Sequence, residues 1–335
     1  MSATTAYRRV VAAYPDDCQP LDVRYLAGAG GFSGADFWRL TTRRGPLCLR
    51  RWPREHPGPE GLQFIQAVLW HVVQEGFHKL PLPLETNSHA GYVCEAGTLW
   101  ELTPWLPGRA DYHQSPSRAK LAAAMTALAE FHHAAASFPL PDRGPVASSG
   151  IVERLNRLHG WTTARRDQVR AALGTIDWPA LAGRSRSLLH LYPMAVAKVE
   201  ATLAEAVRVE APRQPCIRDI WHDHVLFEGD ELSGLIDFGA MRSDTVATDV
   251  ARLVASLVGD DASAWQFALE TYEGVRPLSL SEALLVTAFD RANVLLSGMN
   301  WLDWIFLERR TFADRSAIES RLDENLVRLE RLAKT

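Results

Sequence analysis

The N-terminal third of the chain alternates short apolar runs with glycine-rich turns, which is the pattern of antiparallel β-strands. The stretch "VRYLAGAGGFSGADFWRLTTRRGPLCLRRWP" carries most of this pattern. It predicts, in order, a strand that ends near Leu26, a loop over residues 27–34, a strand near residues 36–42, a turn at Gly45-Pro46 and a strand at residues 47–52. We therefore expect a small meander of antiparallel strands.

Apolar residues at helical spacing surround this meander. Residues 5–14 predict a short helix before it, and "EGLQFIQAVLWHVVQEGF" predicts a helix after it. "GYVCEAGTLWELTPWLPGRA" then predicts a hairpin that runs into an extended segment. From Ser117 onward helical patterns dominate, except at two short apolar strands around a turn at Gly229-Asp230. We expect a small β-rich N-terminal lobe, residues 1–103, and a larger helical lobe, residues 104–335, with a ligand cleft between them.

Composition and charge narrow the class of protein. The chain has 335 residues, more than one compact core usually holds. Its formal net charge of −4 argues against a general nucleic-acid binder, which would show a basic face. The four cysteines form no CxxC pair, and the chain shows neither a signal-peptide core nor an apolar run of about 18 residues. We expect a cytoplasmic protein without nucleic-acid or membrane partners.

Candidate chemistry concentrates in "CIRDIWHDHVLFEGDELSGLIDFGAMR", which begins at Cys216. Carboxylates are costly beside so many aliphatic side chains unless something pairs with them. Phosphoryl transfer needs a carboxylate near the acceptor hydroxyl and two side chains that hold Mg²⁺ against the nucleotide phosphates. In the kinase pattern a catalytic Asp precedes a metal-binding Asn by five residues, and Asp-Phe-Gly follows on the next hairpin strand. Here Asp219 precedes His224 by the same spacing, and Asp237-Phe238-Gly239 follows.

This stretch resembles the catalytic core of the aminoglycoside phosphotransferase-like family, which includes choline- and homoserine-kinase-like enzymes and shares the protein-kinase fold. Family members typically read H-G-D-x-x-x-x-N-V-L-F, a turn, and G-x-I-D-F. This chain reads I-R-D-I-W-H-D-H-V-L-F, a turn, and G-L-I-D-F. The resemblance implies an α+β, protein-kinase-like bilobal fold. It also implies Asp219 as the catalytic base and Asp237 as the principal metal ligand, whereas Asp249 matches a family Asp that is more often structural.

The first strands resemble the family's phosphate-binding segments. Gly30, Gly31 and Ser33 match its glycine-rich loop, where glycines let backbone N–H groups approach phosphate oxygens closely. Arg50 stands where the family usually has a phosphate-pairing Lys, and the guanidinium of Arg can also neutralise phosphate. By resemblance, these four residues would bind the nucleotide.

Two further segments complete the resemblance. Glu101, Leu102 and Thr103, in "LWELTPWLPG", match the family's hinge, whose backbone would hydrogen-bond an adenine ring. The family also has an acid on the helix after the third strand, which would pair with the basic residue of that strand. Glu60 and Gln63 are the candidates for that position.

Departures from the family pattern leave alternatives open. Ile217 and Arg218 replace the family's His-Gly, and His224 replaces its metal-binding Asn. Asn offers a hard oxygen to Mg²⁺, whereas imidazole nitrogen prefers softer ions, so His224 is either a substituted metal ligand or a relic in a site that no longer transfers phosphate. His222 and His224 would alternatively form the transition-metal site of a hydrolase that activates water. A structural role for His222, hydrogen-bonded within the loop, is the stronger interpretation.

A C-terminal segment, "MNWLDWIFLERRTF", concentrates aromatic residues. Trp301 and Trp304 lie three residues apart with acids nearby, which would suit cation–π contact with a cationic substrate. Core packing of an amphipathic helix explains the same spacing. Both interpretations stay open at the level of the sequence.

The sequence as a whole predicts an ATP-dependent phosphotransferase that acts on a hydroxyl of a small molecule. The acceptor would be an amino alcohol, a sugar, an aminoglycoside-like compound or an amino acid. ATP and Mg²⁺ would be the cofactors, with Mn²⁺ as a second candidate ion. The alternative is a nucleotide-binding pseudokinase with a regulatory or scaffold role, because His224 replaces the metal-binding Asn.

Overall fold

The computed structural model describes residues 3–26, 34–141, 144–312 and 314–334. Contacts within the chain group it into two compact units. The first unit comprises Met1–Pro139, Ile217–Arg242 and Ala268–Arg276, and the second comprises Leu140–Cys216, Ser243–Phe267 and Pro277–Thr335. The lobe boundary at residue 103 stays a prediction. The predicted phosphate-loop residues Gly30, Gly31 and Ser33 lie outside the described residues.

Strands and helices alternate along the described chain. The strands are β1 (Pro20–Tyr25), β2 (Asp36–Thr42), β3 (Gly45–Arg51), β4 (Val93–Glu95), β5 (Thr98–Pro104), β6 (Val146–Ala147), β7 (Glu210–Ala211), β8 (Gln214–Cys216), β9 (Val225–Glu228), β10 (Glu231–Leu235) and β11 (Arg242–Asp244). The α-helices are α1 (Ala3–Val11), α2 (Pro59–Gln74), α3 (Arg118–Ala135), α4 (Ser149–Gly160), α5 (Thr163–Ala172), α6 (Pro179–Ala206), α7 (Ala247–Val258), α8 (Ala262–Glu273), α9 (Leu280–Leu302) and α10 (Arg315–Lys334). Short 3-10 helices at Asp16–Cys18 and His222–His224 and a π-helix at Asp303–Leu307 are also present.

The first unit is built on a five-stranded antiparallel sheet with the strand order β1-β2-β3-β5-β4, which confirms the predicted meander. The turn between β2 and β3 differs from the prediction. It consists of Arg43-Arg44 rather than Gly45-Pro46, because Thr42 and Gly45 already pair as strand residues. The Thr42 hydroxyl accepts a hydrogen bond from the Arg44 N–H at 3.2 Å and donates one to the Gly45 carbonyl at 2.7 Å. These two bonds close the turn at that position.

Alternation of side chains separates two faces of this sheet. On one face, Trp38, Leu49 and Trp100 are buried in a core that includes residues of α1 and the segment after it. The rings of Trp38 and Trp100 stack there with centroids 5.2 Å apart. On the other face, Arg50 of β3 stands directly opposite Glu101 of β5. The candidate chemistry of the sheet therefore lies on the face opposite the core that contains Trp38 and Trp100.

The hairpin predicted around Gly229-Asp230 forms as β9 and β10, and it also belongs to the first unit. Gly229 has a φ of 63°, a left-handed conformation that glycine adopts without steric cost. Gly234 allows Leu106 to pack closely against β10, since a Cβ at Gly234 would lie only 2.4 Å from the Leu106 Cδ1. The chain leaves this hairpin two residues before Asp237, so the hairpin positions that carboxylate.

The second unit is mainly helical, with α6, α9 and α10 packed against one another. Asp244 is 1% exposed and holds the start of α4, because its carboxylate accepts hydrogen bonds from the Ser148 hydroxyl at 2.7 Å and the Gly150 N–H at 2.9 Å. Arg328 of α10 donates to Asp260 at 2.6 Å and to Asp290 at 3.0 Å. Within the described residues, no helix combines the length and apolarity needed to cross a membrane.

Candidate active site

The carboxylate of Asp237 lies at the centre of a cluster in the first unit. Its Oδ1 accepts a hydrogen bond from the Arg50 Nη1 at 3.0 Å, and its Oδ2 lies 3.6 Å from the His224 Nε2. Burial by itself would raise the pKa of Asp237, but the charge of Arg50, with a further contribution from His224, outweighs it and lowers the pKa to about 2. Asp237 is therefore a charged carboxylate at neutral pH.

The backbone at Asp237 is unusual for a residue with a side chain. Its φ is 61°, in the left-handed region that costs free energy for residues other than glycine. Two residues later, Gly239 leaves no room for a side chain, because a Cβ would lie 2.9 Å from the Trp52 Cζ3 and 3.3 Å from the Asp237 Oδ1. The surrounding packing thus holds the carboxylate in a strained position that points it at Arg50.

Arg50 is held by aromatic rings as well as by Asp237. Its guanidinium carbon lies 3.4 Å from the ring centroid of Trp52 and 5.1 Å from that of Phe37, so the planar cation stacks on both. The side chain is only 12% exposed. Its Nε is buried and has no hydrogen-bond partner among the described residues. One donor of a buried cation is therefore left for a further acceptor.

The helix that follows β3 does not supply the predicted acid. Glu60 and Gln63 are both exposed, and Gln63 donates to the Tyr92 hydroxyl at 3.2 Å. The inward face of α2 instead presents Gln66, which donates to the Glu101 Oε2 at 2.6 Å. Burial raises the pKa of Glu101, whereas this hydrogen bond and the charge of Arg50 act in the opposite direction. The prediction from the helix was wrong because residues 60 and 63 lie on its solvent-facing side.

The loop that contains Asp219 is anchored by apolar side chains. Ile217 and Ile220, on either side of it, are fully buried, and Asp219 itself is half-buried. Between them Arg218 has a φ of 65°, so the chain turns sharply just before Asp219. Burial of the two isoleucines explains how this loop keeps its shape although Ile217 replaces the family's His.

His224 links the loop of Asp219 to Asp237. Its Nδ1 lies 2.8 Å from the Asp219 carbonyl oxygen, and its own carbonyl accepts from the Ile236 N–H at 3.0 Å. The indole Nε1–H of Trp221 donates to the His224 Nε2 at 3.0 Å. The structure thus connects the main chain of Asp219 with the side chain of Asp237 through one imidazole ring.

His222 occupies a different environment from His224. Its Nδ1 lies 3.1 Å from the Asp223 Oδ1, and its ring packs edge-to-face against His113 and Trp221, with centroids 4.3 and 4.4 Å away. Among the described residues, no group of three or more His, Cys, Asp or Glu ligand atoms within 4.8 Å of one another includes His222 or His224. The three-ligand metal site that a hydrolase would need at these histidines is therefore not formed among the described residues.

The predicted hinge residues Glu101, Leu102 and Thr103 lie within β5 and pair with β3. Leu102 is fully buried, and its carbonyl accepts a hydrogen bond from the Leu84 N–H at 2.8 Å. Glu101 contributes its side chain to the cluster around Arg50, a role that the sequence did not suggest. Contact of this segment with adenine stays a prediction.

The C-terminal aromatic pair lies in the second unit. Trp301 is 5% exposed and packs edge-to-face on Trp304 with ring centroids 5.0 Å apart. The cation over Trp304 is the chain's own Arg310, 5.3 Å from the ring centroid. Asp249, which was expected to be structural, is fully buried in α7 of the same unit. Packing within the unit therefore explains the aromatic spacing.

Sequence reasoning missed three contributors to the cluster, namely Gln66, Trp52 and Trp221. Helical spacing could have identified Gln66, because it follows Leu62 by four residues and therefore lies on the apolar face of α2. Trp52 comes directly after the strand that carries Arg50, but nothing in the strand pattern indicates that its ring stacks on the guanidinium. The contact of Trp221 with His224 depends on a 3-10 turn that spacing did not predict.

Comparison with known proteins finds that this chain is similar to a family of phosphotransferases and to homoserine kinases. A family model described as "Phosphotransferase enzyme family" matches residues 25–278. The homoserine kinase of Methylocella silvestris is 28% identical over 290 residues, which cover 84% of this chain and 81% of that protein. The homoserine kinase of a Bradyrhizobium species (strain BTAi1) is 28% identical over 227 residues, and the match spans 68% of this chain but only 61% of the relative.

A solved structure supports the fold. Amicoumacin kinase in complex with AMP-PNP, Ca²⁺ and Ami superimposes with a TM-score of 0.68 at 14% identity, covering 100% of this chain and 94% of that one. Together with the antiparallel sheet and the mainly helical remainder, this similarity confirms the predicted α+β, protein-kinase-like fold.

Proposed function

We propose that this chain, which belongs to the phosphotransferase enzyme family and is a small-molecule phosphotransferase, transfers phosphate from ATP to a hydroxyl. In this proposal Asp219 is the base and Asp237 is the metal ligand. The observation that carries the proposal is the cluster of Asp237, Arg50 and His224, with His224 bonded to the Asp219 carbonyl. ATP, when bound, supplies the phosphoryl group, and a divalent ion neutralises its phosphate oxygens.

The residues of the cluster fit a nucleotide and a metal ion. Asp237 is ionised at neutral pH because its pKa is about 2, and an ionised carboxylate is the ligand that a hard divalent cation prefers. The buried Nε of Arg50 has no partner among the described residues, which suits an incoming phosphate oxygen. In the structure these two groups neutralise each other. With substrate they would separate, Arg50 toward phosphate and Asp237 toward metal.

Asp219 is assigned the base because of its place in the loop. The half-buried carboxylate follows a left-handed residue and precedes buried Ile220, so the backbone that carries it is rigid. Its carbonyl oxygen is fixed by the His224 ring. A base held in this way would accept the proton of the acceptor hydroxyl as the hydroxyl oxygen attacks the phosphorus.

The acceptor we propose is the primary hydroxyl of a small amino acid or amino alcohol. The support is the series of homoserine kinases among the relatives, three of which match this chain at 28% identity. Gly30, Gly31 and Ser33 would cover the phosphates, and the backbone of Glu101, Leu102 and Thr103 would contact adenine.

The test is phosphate gain, read by mass spectrometry, when the purified chain is incubated with ATP and either Mg²⁺ or Mn²⁺ against homoserine, amino alcohols, sugars and aminoglycosides. Asp219→Asn should lower kcat by about 10²–10⁴-fold and leave AMP-PNP affinity unchanged. Asp223→Asn, at an exposed acid of the same loop, is the matched control and should retain activity. Undiminished transfer by Asp219→Asn would reject the base assignment. Nucleotide binding without transfer to any acceptor would favour the pseudokinase alternative.

A further inference from the structure

We propose that the His224 Nε2 and the Asp237 Oδ2 form a nitrogen–oxygen metal pair that selects Mn²⁺ or Zn²⁺ over Mg²⁺, and that Trp221 holds this nitrogen while no metal is bound. The inference deepens the proposed function and rests on it, because it concerns the metal ion of the same site. It is carried by the hydrogen bonds and distances around one imidazole ring.

Two hydrogen bonds of the His224 ring indicate its tautomer. The Nδ1 lies 2.8 Å from the Asp219 carbonyl oxygen, and a carbonyl can only accept, so the Nδ1 carries the proton. The indole nitrogen of Trp221, 3.0 Å from the Nε2, can only donate, so the Nε2 carries a lone pair. Two independent contacts thus specify the same tautomer. This is the tautomer in which histidines bind metals, with one ring N–H donated to a carbonyl and a lone pair on the other nitrogen.

The second ligand is already near the distance that a shared ion requires. Two ligand atoms that each lie about 2.1 Å from an ion are about 3.4 Å apart at a tetrahedral angle and about 3.0 Å apart at a right angle. The His224 Nε2 and the Asp237 Oδ2 are 3.6 Å apart. A small movement of either side chain would bring them to the tetrahedral separation that suits Zn²⁺, whereas the octahedral geometry of Mg²⁺ and Mn²⁺ needs a larger movement.

The chemistry of the two ligand atoms favours Zn²⁺ most, and it also favours Mn²⁺ over Mg²⁺. Asp237 supplies a hard anionic oxygen, which any divalent cation accepts. An imidazole nitrogen adds affinity for Mn²⁺ and, more strongly, for Zn²⁺, but little for Mg²⁺, which prefers oxygen ligands and keeps its water shell. A site with one nitrogen and one oxygen therefore discriminates among ions that an all-oxygen site would bind more equally.

The indole N–H of Trp221 donates a hydrogen bond to the His224 nitrogen that would coordinate the metal. Its ring is steadied by the edge-to-face contact with His222 at 4.4 Å, and its side chain is partly exposed, so the indole can move toward solvent. A metal ion at the Nε2 must displace the indole N–H. Trp221 therefore competes with the ion, and its environment reports whether the site is filled.

The experiment measures metal binding directly, without turnover. The full chain, stripped with EDTA, is titrated with Mg²⁺, Mn²⁺ or Zn²⁺ and followed by calorimetry and by tryptophan fluorescence. The wild-type chain should bind Zn²⁺ and Mn²⁺ at least about tenfold more tightly than Mg²⁺. His224→Asn should lose at least about tenfold of the Zn²⁺ and Mn²⁺ affinity and none of the Mg²⁺ affinity. The Asn amide can still donate to the Asp219 carbonyl, so this variant keeps the loop's hydrogen bond.

Two further variants test whether the metal preference depends specifically on His224 and on its contact with Trp221. His222→Asn, the matched control on the same 3-10 turn, should keep the wild-type metal preference. Trp221→Phe should bind Zn²⁺ more tightly, because the competing donor is gone, and should lose the fluorescence change that metal causes in the wild-type chain. Circular dichroism and thermal unfolding establish that each variant is folded.

The outcomes separate this inference from the proposed function. Retention of the Zn²⁺ preference in His224→Asn, or a full fluorescence change in Trp221→Phe, would overturn the inference even if the chain transfers phosphate. The expected metal preference without phosphate transfer to any acceptor would support the inference and count against the proposed function alone.

Discussion

Removing the positive charge of Arg50 should destabilise the first unit by leaving Asp237 as an unpaired carboxylate. Paired with Arg50 at 3.0 Å, Asp237 has a pKa of about 2 instead of its ordinary value of 3.8. A difference of about 1.8 in pKa corresponds to about 2.4 kcal/mol. Burial opposes this shift, Arg50 is the largest contributor that lowers the pKa, and His224 and the Gly239 N–H add to it. Because the Asp237 side chain is 34% exposed, solvent screens part of the effect, and the expected coupling between Arg50 and Asp237 is about 1–2 kcal/mol.

A double-mutant cycle measures that coupling. Arg50→Met, Asp237→Asn and the double variant are unfolded in urea at pH 7, and the free energies of unfolding are compared at equal m-values. The two single changes should each destabilise, and the double variant should be about 1–2 kcal/mol more stable than their sum predicts. Arg51→Met is the matched control. Its side chain pairs with Asp36, so its effect should add to that of Asp237→Asn within about 0.5 kcal/mol.

The pH dependence follows from the direction of the shift. The folded-state pKa of Asp237 lies below its ordinary value, so its contribution to stability is complete above pH 3.8 and disappears as the pH falls through about 2. The coupling should therefore be the same at pH 7 and pH 5. Additive effects of Arg50→Met and Asp237→Asn at both pH values would refute the account of the ion pair.

Two further predictions concern buried polar groups, both measured by urea unfolding. Gln66→Ala removes the hydrogen bond to the buried carboxylate of Glu101 and should lower the free energy of unfolding by about 1–3 kcal/mol. Gln63→Ala, on the exposed face of the same helix, should lower it by less than about 0.5 kcal/mol. Equal effects would contradict the burial argument. Arg328→Met removes the cation shared by Asp260 and Asp290, so that among the described residues Asp260 keeps only its contact with Arg331, and it should cost about 3–5 kcal/mol. Arg331→Met, whose side chain is 63% exposed, should be nearly neutral. A small effect at both positions would show that the pairing is not stabilising.

Local patterns in the sequence were sufficient for the elements that build the sheet and for the hairpin before Asp237. Period-two alternation in β2 and β3 and turn residues between apolar runs predicted strands that the structure confirms. The exception at Arg43-Arg44 has a local cause as well, since the Thr42 hydroxyl closes that turn. These features depend only on neighbours in the chain.

Partners that are far apart in the chain were harder to predict. Alternation indicates that Arg50 faces away from the apolar core, but it does not indicate which strand residue stands opposite. The register between β3 and β5 decides that Glu101 does. The helical phase of α2 then decides that Gln66, rather than Glu60 or Gln63, reaches this carboxylate. Both pairings depend on how two elements are placed relative to each other. The spacing of residues within one element gives no information about that placement.

By itself, the sequence determined that two acids at kinase spacing flank a hairpin and that an imidazole takes the place of an amide between them, because these are properties of residue order. Only the tertiary structure decided that Asp237 is paired with Arg50 and that the His224 Nε2 lies near it. The ion pair joins residues 187 positions apart, and the tautomer follows from a carbonyl and an indole that folding brings to the two sides of one ring. Hydrogen bonds and charge pairs depend on distances of a few ångströms, and packing sets those distances.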